Sequence, residues 1–385
     1  MVQISLPRIV RIGGGALGET VDALRQFGLE RPLIVTDKYL VEAGLLGRLL
    51  SFLEEAGIEA SIFDETLPDP TTGVVAAAVE RLRDADRDCV IGFGGGSPID
   101  TAKAVAVLGA RGGRAEDFGA PAVTDEPGLP IVAIPTTAGT GSEATRFTIL
   151  TNEATSEKML CAGLAFLPMI AIVDFELTMG KPLRLTADTG IDSLTHAIEA
   201  YVSRKANAFS DAMALSAMTL IANNIRIVCD APGDREAREA MMIGAHQAGL
   251  AFSNASVALV HGMSRPLGAF FHVPHGLSNA MLLPAVTAFS APAAPGRYAD
   301  CARAMGLADA DVGDQAAAAA LIGELEALNR DLKVPTPERF GIERDRYMDL
   351  LPTMASQAIA SGSPGNNPRA ASTEEIVSLY RQVFA

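Results

Sequence analysis

The chain holds only five histidines, His196, His246, His261, His272 and His275. Asp192 and His196 stand four apart in TGIDSLTHAIEAYVS, a helical pattern that sets a carboxylate and an imidazole on one face. His261 opens HGMSRPLGAFFHVPHG and His275 nearly closes it, so a helix start and the following loop can bring two more imidazoles to the same place. One carboxylate and three imidazoles suit Fe(II) or Zn(II), and the donor types alone do not choose between them. A histidine taken singly is more often structural than ligating; here it is the constellation that points to a metal. His246, in IGAHQAGLAF, has no partner at ligand spacing and reads as core. His272, three before His275, is either a proton-relay group behind the ligands or a surface loop residue.

A second chemistry is suggested by glycine. CVIGFGGGSPIDTAKAVAVL runs strand, glycine turn, helix, with Gly92, Gly94, Gly95 and Gly96 in the turn. Ser97 suits the N-cap, Pro98 the first helical position, and Asp100 the third, where a carboxylate can answer a free backbone N–H. Backbone N–H groups at such a helix start form a place for pyrophosphate, although the run is not a strict GxGxxG. PTTAGTGSEAT, from Pro135 to Thr145, is a second loop after a strand, and Thr136, Thr137 and Thr140 in it offer groups to phosphate or to a nicotinamide amide. Asp37 closes the strand Leu33 to Val35, where it is either a ribose-binding acid that disfavours a 2′-phosphate or an ordinary solvated strand-end residue.

These residues need elements to hold them. The first half alternates helical stretches with short apolar runs: RPLIVTD, ASIFDE, CVIGFGGG, LPIVAIPTT and MIAIVD. Near-continuous Val and Ile with helices between reads as a parallel sheet covered on both faces, an α/β nucleotide-binding layout. After about Pro182 the segments turn long and rich in Ala, Leu and Met, with apolar residues at helical spacing and no convincing strand. The expected plan is an α/β dinucleotide-binding domain over residues 1–182 and an all-helical metal-binding and catalytic domain over 183–385, with room for a cleft between them.

A length of 385 residues fits two domains. A formal charge of −15 argues against nucleic acid or an anionic membrane as partner and favours a small molecule. No secretory leader pattern opens the chain, and no run approaches about 20 uninterrupted apolar residues. A cytoplasmic, membrane-free protein is expected. Cys89, Cys161, Cys229 and Cys301 are scattered without CxxC spacing, which indicates neither a zinc knuckle nor a disulfide framework. The N-terminal LPRIVRIGGG could pair as an edge strand, suggesting a homodimer.

With GGGSPIDTAK, PTTAGTGSEAT, GIDSLTHAIEAY and HGMSRPLGAFFHVPHG in order, the chain resembles the iron-containing, group III alcohol dehydrogenases along its whole length. This family, within the dehydroquinate-synthase-like superfamily, includes lactaldehyde reductases and propanediol dehydrogenases. The resemblance implies that Asp192, His196, His261 and His275 bind the metal. It also implies that Gly95, Gly96 and Ser97 lie near pyrophosphate, that Thr136 and Thr137 line the nucleotide, and that Asp37 meets the adenosine ribose. Lys158 and Leu177 fall near the nicotinamide end by the same carry-over, and Asp69 of LPDPT near the nucleotide, where relatives often have Asn. One departure stands out. Many relatives carry a histidine four residues after the first histidine of the long motif, and this chain has Arg265. One turn from His261, Arg265 either clamps a carboxylate, sulfonate or phosphonate on the substrate or pairs with a protein acid. His272 is then the candidate relay.

The implied reaction moves hydride between NAD and a small primary or secondary alcohol, or its aldehyde or ketone, with the metal as Lewis acid. The alternatives are a glycerol-dehydrogenase-like or dehydroquinate-synthase-like enzyme, and a non-catalytic nucleotide sensor, which would be expected to lose ligands.

Overall fold

Runs of β-branched residues bounded by Gly, Pro and Asp become strands because such side chains pack well on a pleated surface. The computed structural model describes residues 1–84, 86–155 and 157–385 and divides into two compact units: Ile4–Lys181, and Pro182–Ala385 together with Met1–Gln3. The first unit holds β1 (Ile9–Ile12), β2 (Pro32–Val35), β3 (Ser61–Phe63), β4 (Cys89–Gly94), β5 (Ile131–Pro135), β6 (Phe147–Asn152), β7 (Glu157–Ala162) and β8 (Ile170–Val173). Its helices are α1 (Thr20–Arg25), α2 (Lys38–Glu42), α3 (Leu45–Glu55), α4 (Thr72–Asp84) and α5 (Gly96–Arg111).

Six strands form one parallel sheet in the order β1-β8-β5-β4-β2-β3. Alternate side chains serve opposite faces. Ile34, Ile91 and Phe93 pack with Leu17, Leu24 and Leu49 toward α1 and α3. Leu33, Val35 and Val90 pack with Val75, Val79, Leu82 and Val105 toward α4 and α5. The chain leaves β2 over one face and β4 over the other, so the strand order reverses between these neighbours. Their carboxyl ends carry Asp37 and the Gly94–Gly96 turn, which is where open α/β sheets bind ligands.

Two local expectations are corrected. Ser97 does not cap α5: the helix begins at Gly96 after Gly95, which makes no side-chain cap. A serine hydroxyl at the cap would occupy one of the first-turn N–H groups, and its absence leaves them available to an anion. Asp100 does not answer those groups either. Its carboxylate accepts from Ile149 N (2.9 Å) and Ser142 Oγ (2.6 Å), tying α5 to β6.

A further difference is an antiparallel hairpin, β6 with β7, beside the parallel sheet. Its strands are half-exposed, with Thr148 and Leu150 turned inward on β6. A search for continuous Val and Ile runs passes over such alternation.

Buried Lys103 adds a second stitch. Its Nζ donates to Thr145 O (2.9 Å), Thr145 Oγ1 (3.0 Å) and Phe147 O (2.7 Å). Burial pushes its pKa down to about 8, opposed by Asp100 and Glu143, so it stays charged at neutral pH.

The second unit holds α6 (Leu183–Val202), α7 (Ala208–Asp230), α8 (Arg235–Asn254), α9 (Leu259–Phe271), α10 (His275–Ser290), α11 (Pro295–Ala304), α12 (Asp314–Asp331), α13 (Pro337–Phe340), α14 (Arg344–Ala360) and α15 (Thr373–Val383). It has no strand among the described residues. By length and composition α7 could cross a membrane. Here it packs against α6, α8 and α11, burying Ala217, Met218, Ile221 and Ile225. Helix α6 is buried nearly all round from Ile191 to Val202, which marks it as the centre of this unit.

Lys103→Met should cost about 3–5 kcal/mol, because it leaves three oxygens without their charged donor inside a packed layer. Denaturant unfolding checks this, and a loss within about 0.5 kcal/mol would show the stitch to be dispensable.

Candidate metal centre and nucleotide cradle

Asp192 and His196 sit one turn apart on α6, His261 in the first turn of α9, and His275 at the first residue of α10 rather than in a loop. Their ligand atoms all lie within 4.8 Å of one another. From Asp192 Oδ1 the Nε2 atoms of His261, His275 and His196 stand at 3.6, 3.8 and 3.9 Å. Donors about 2.1 Å from one ion are about 3.4 Å apart at the tetrahedral angle, so small inward movements suffice to close the set on a single cation. The donor types fit iron or zinc. Asp192, His196 and His261 are buried, whereas the His275 side chain is 39% exposed and marks the open side.

Glycine allows the approach of the helices. A Cβ on Gly276 would stand 2.5 Å from Asp188 O and 3.4 Å from Asp192 Cβ, so only glycine lets α10 bring His275 this close to α6.

Two residues not anticipated from the sequence complete the centre. Glu199 accepts from Ala258 N (2.9 Å) and Val260 N (2.6 Å), two N–H groups at the start of α9, and lies 2.6 Å from His261 Nδ1. With Nδ1 held by Glu199, a cation that displaces the Nε2 proton would meet a lone pair facing Asp192, an arrangement that fixes the tautomer of a ligating histidine. The signal was present: Asp192, His196 and Glu199 occupy positions i, i+4 and i+7 of one helix face. Asn279 is four beyond His275. Its Nδ2 donates to Asp192 Oδ1 (2.6 Å) and lies 3.1 and 3.3 Å from Nε2 of His261 and His275. Phe252 stacks on His196 at 4.3 Å.

Electrostatics agree with the geometry. Burial alone would raise the Asp192 pKa, but the imidazoles of His196, His275 and His261 hold it well below the usual carboxylate range. Burial depresses His261, yet hydrogen bonds and charge from Asp192 and Glu199 prevail and raise it to about 9. The site is therefore built for positive charge.

The remaining residues sort as follows. His246 is buried, as the core reading expected. His272 caps the C-terminus of α9 in the left-handed conformation with φ 54°, exposed, and no hydrogen bond joins its imidazole to the four ligands. Arg265 has no carboxylate within ion-pairing distance among the described residues, and the one acid whose charge acts on it is Glu199.

In the first unit the glycine turn and the threonine loop face each other. A Cβ on Gly95 would meet Thr137 Oγ1 at 3.5 Å, and one on Gly96 would meet Thr140 Cγ2 at 3.0 Å. The hydroxyls of Thr136 and Thr137 are buried with no hydrogen-bond partner among the described residues. Buried hydroxyls beside a bare helix start fit a phosphate-bearing ligand. Asp37 caps α2 through Leu40 N at 2.9 Å, which leaves acceptor capacity on its second oxygen. Lys158 and Asp69, separately expected near the nucleotide, form an ion pair at 2.8 Å. Leu177 is buried in the core of the first unit.

A parallel α/β unit with a phosphate cradle and a buried carboxylate–imidazole cluster define a metal-dependent enzyme that uses a nucleotide. Residues 7–175 match the family described as iron-containing alcohol dehydrogenase, and residues 186–384 match the C-terminal part of the Fe-containing alcohol dehydrogenase family. Lactaldehyde reductase of Escherichia coli (strain K12) is 38% identical over 375 residues, covering 97% of each chain. The NAD-dependent methanol dehydrogenase of Bacillus methanolicus is 36% identical over 384 residues, with both chains fully covered. A crystal structure of 1,3-propanediol oxidoreductase superposes with a TM-score of 0.95 at 36% identity, covering 100% of each chain. The chain belongs to the iron-containing alcohol dehydrogenase family and is an oxidoreductase of that type.

Glu199→Gln should weaken metal affinity about 10- to 100-fold, since it removes the charge behind His261. Competition against a chelator reads this out. Unchanged affinity in a folded variant would reduce Glu199 to a helix cap.

Proposed function

We propose that the protein exchanges hydride between a small primary or secondary alcohol, or the matching aldehyde or ketone, and NAD, with Fe(II) in the Asp192, His196, His261 and His275 set and Zn(II) as the alternative occupant. The observation that carries this reading is the convergence of those four donors, with Glu199 aiming His261. When bound, the ion supplies Lewis acidity to the substrate oxygen. The protein's part is position and field.

On this reading the first-turn N–H groups around Gly95, Gly96 and Ser97 receive pyrophosphate, Thr136 and Thr137 donate their hydroxyls, and Asp37 accepts from the adenosine ribose and disfavours a 2′-phosphate. Asp100 acts indirectly by anchoring Ser142 in the loop that carries Thr140. Lys158, held by Asp69, and Leu177 serve the nicotinamide end. A sensor that had given up catalysis would have no need to keep all four donors converged. The net charge of −15 argues against a nucleic-acid partner.

We further assign the protein to the cytoplasm, free of membrane, as a homodimer. Support for the dimer comes from β1, an edge strand that ends on Ile12, which is 45% exposed, and is preceded by Leu6, which is 43% exposed. A monomeric mass in solution would remove that assignment.

Anaerobically purified protein should reduce NAD with short alcohols or diols, lose the activity on chelation and regain it with Fe(II) or Zn(II). His261→Ala should abolish the metal-dependent turnover. NAD binding without turnover under any metal would overturn the reading.

A further inference from the structure

Arg265 lies one helical turn beyond His261 on α9, so its side chain leaves the same helix face as a metal ligand. Side chains so related stand about 5–6 Å apart at Cβ. The guanidinium is half-buried, and among the described residues it makes no ion pair and no hydrogen bond. The charge that acts on it is the Glu199 carboxylate. That carboxylate is already committed to Ala258 N, Val260 N and His261 Nδ1.

Charge bookkeeping around the centre then leaves an excess. Asp192 and Glu199 balance a divalent cation, and Arg265 adds one positive charge whose one interacting acid among the described residues is the already engaged Glu199. A half-buried guanidinium without a partner is costly, and its planar fork of donors suits an oxyanion in two-bonded contact.

We propose that Arg265 is a specificity residue that binds an anionic group, a carboxylate or sulfonate, at the far end of a short aldehyde or alcohol. Resting on the dehydrogenase reading above, this narrows its substrate class. The spacing from His261 restricts the substrate to a few carbons between the reacting carbon and the anion.

The test compares 4-oxobutanoate with pentanal, a neutral aldehyde of similar length, in the metal-loaded wild type, Arg265→Ala and Arg265→Lys. A sulfonate-bearing aldehyde of the same length forms a third arm that separates the two oxyanions. The quantity read is the ratio of kcat/KM for the anionic over the neutral aldehyde, which is independent of the fraction of protein correctly folded. Calorimetric binding of succinate to each protein, with and without metal, supplies a readout that needs no turnover.

The wild-type ratio should favour the anion, fall about 10- to 100-fold in Arg265→Ala, and lie between in Arg265→Lys, which keeps the charge but loses the fork. Succinate affinity should fall in parallel. Equal losses for both aldehydes, or succinate binding unaffected by Arg265→Ala, would overturn the inference while neutral-aldehyde turnover leaves the dehydrogenase reading standing. Failure of the wild type on both aldehydes would count against that reading, and succinate binding would still decide whether Arg265 holds an anion.

Discussion

The Glu199 carboxylate takes two backbone N–H groups at the start of α9 and lies against the His261 ring, so one side chain both starts a helix and aims a ligand. A buried carboxylate is expensive unless fully hydrogen-bonded. Here the helix terminus supplies donors and partial positive charge, and the imidazole supplies a third contact. Removing any partner would leave the others uncompensated. The position of α9 relative to α6, and hence of His261 relative to Asp192 and His196, follows from that requirement.

The first unit solves the converse problem, holding anion-binding groups open. The N–H groups at the start of α5 remain available because neither Ser97 nor Asp100 caps them. Asp100 and Lys103 point away from the turn and fasten β6 and the threonine loop to the same helix. The polar residues of α5 thus divide their work: the first turn is left without a side-chain cap, and the next turn fixes the loop that faces it.

How much of this could be read from sequence depended on which signals were local. Four-residue spacing revealed Asp192 with His196, and the constellation of histidines added His261 and His275 without geometry. The parallel sheet was legible because strands buried on both faces need continuous Val and Ile. The β6–β7 hairpin was not, because its half-exposed alternation is weaker. Ser97 misled because its type favours an N-cap, whereas α5 begins one residue earlier, at Gly96 after Gly95. Glu199 and Asn279 went unread although both lie at helical spacing from ligands, because their partners come from other helices and only the tertiary packing of α6, α9 and α10 shows what they touch.

That packing also separates what can vary from what cannot. Helix α6 carries Asp192, His196 and Glu199 on one stripe and is buried nearly all round from Ile191 onward, so a change there disturbs ligand and core together. Helix α9 is ordered differently. Its first turn is bound to Glu199, while one turn later Arg265 makes no ion pair among the described residues and is partly open. A side chain at that point can be exchanged without breaking any hydrogen bond of the centre. The fixed chemistry therefore sits on the buried helix and at the capped start of α9, and substrate selection can sit one turn further along.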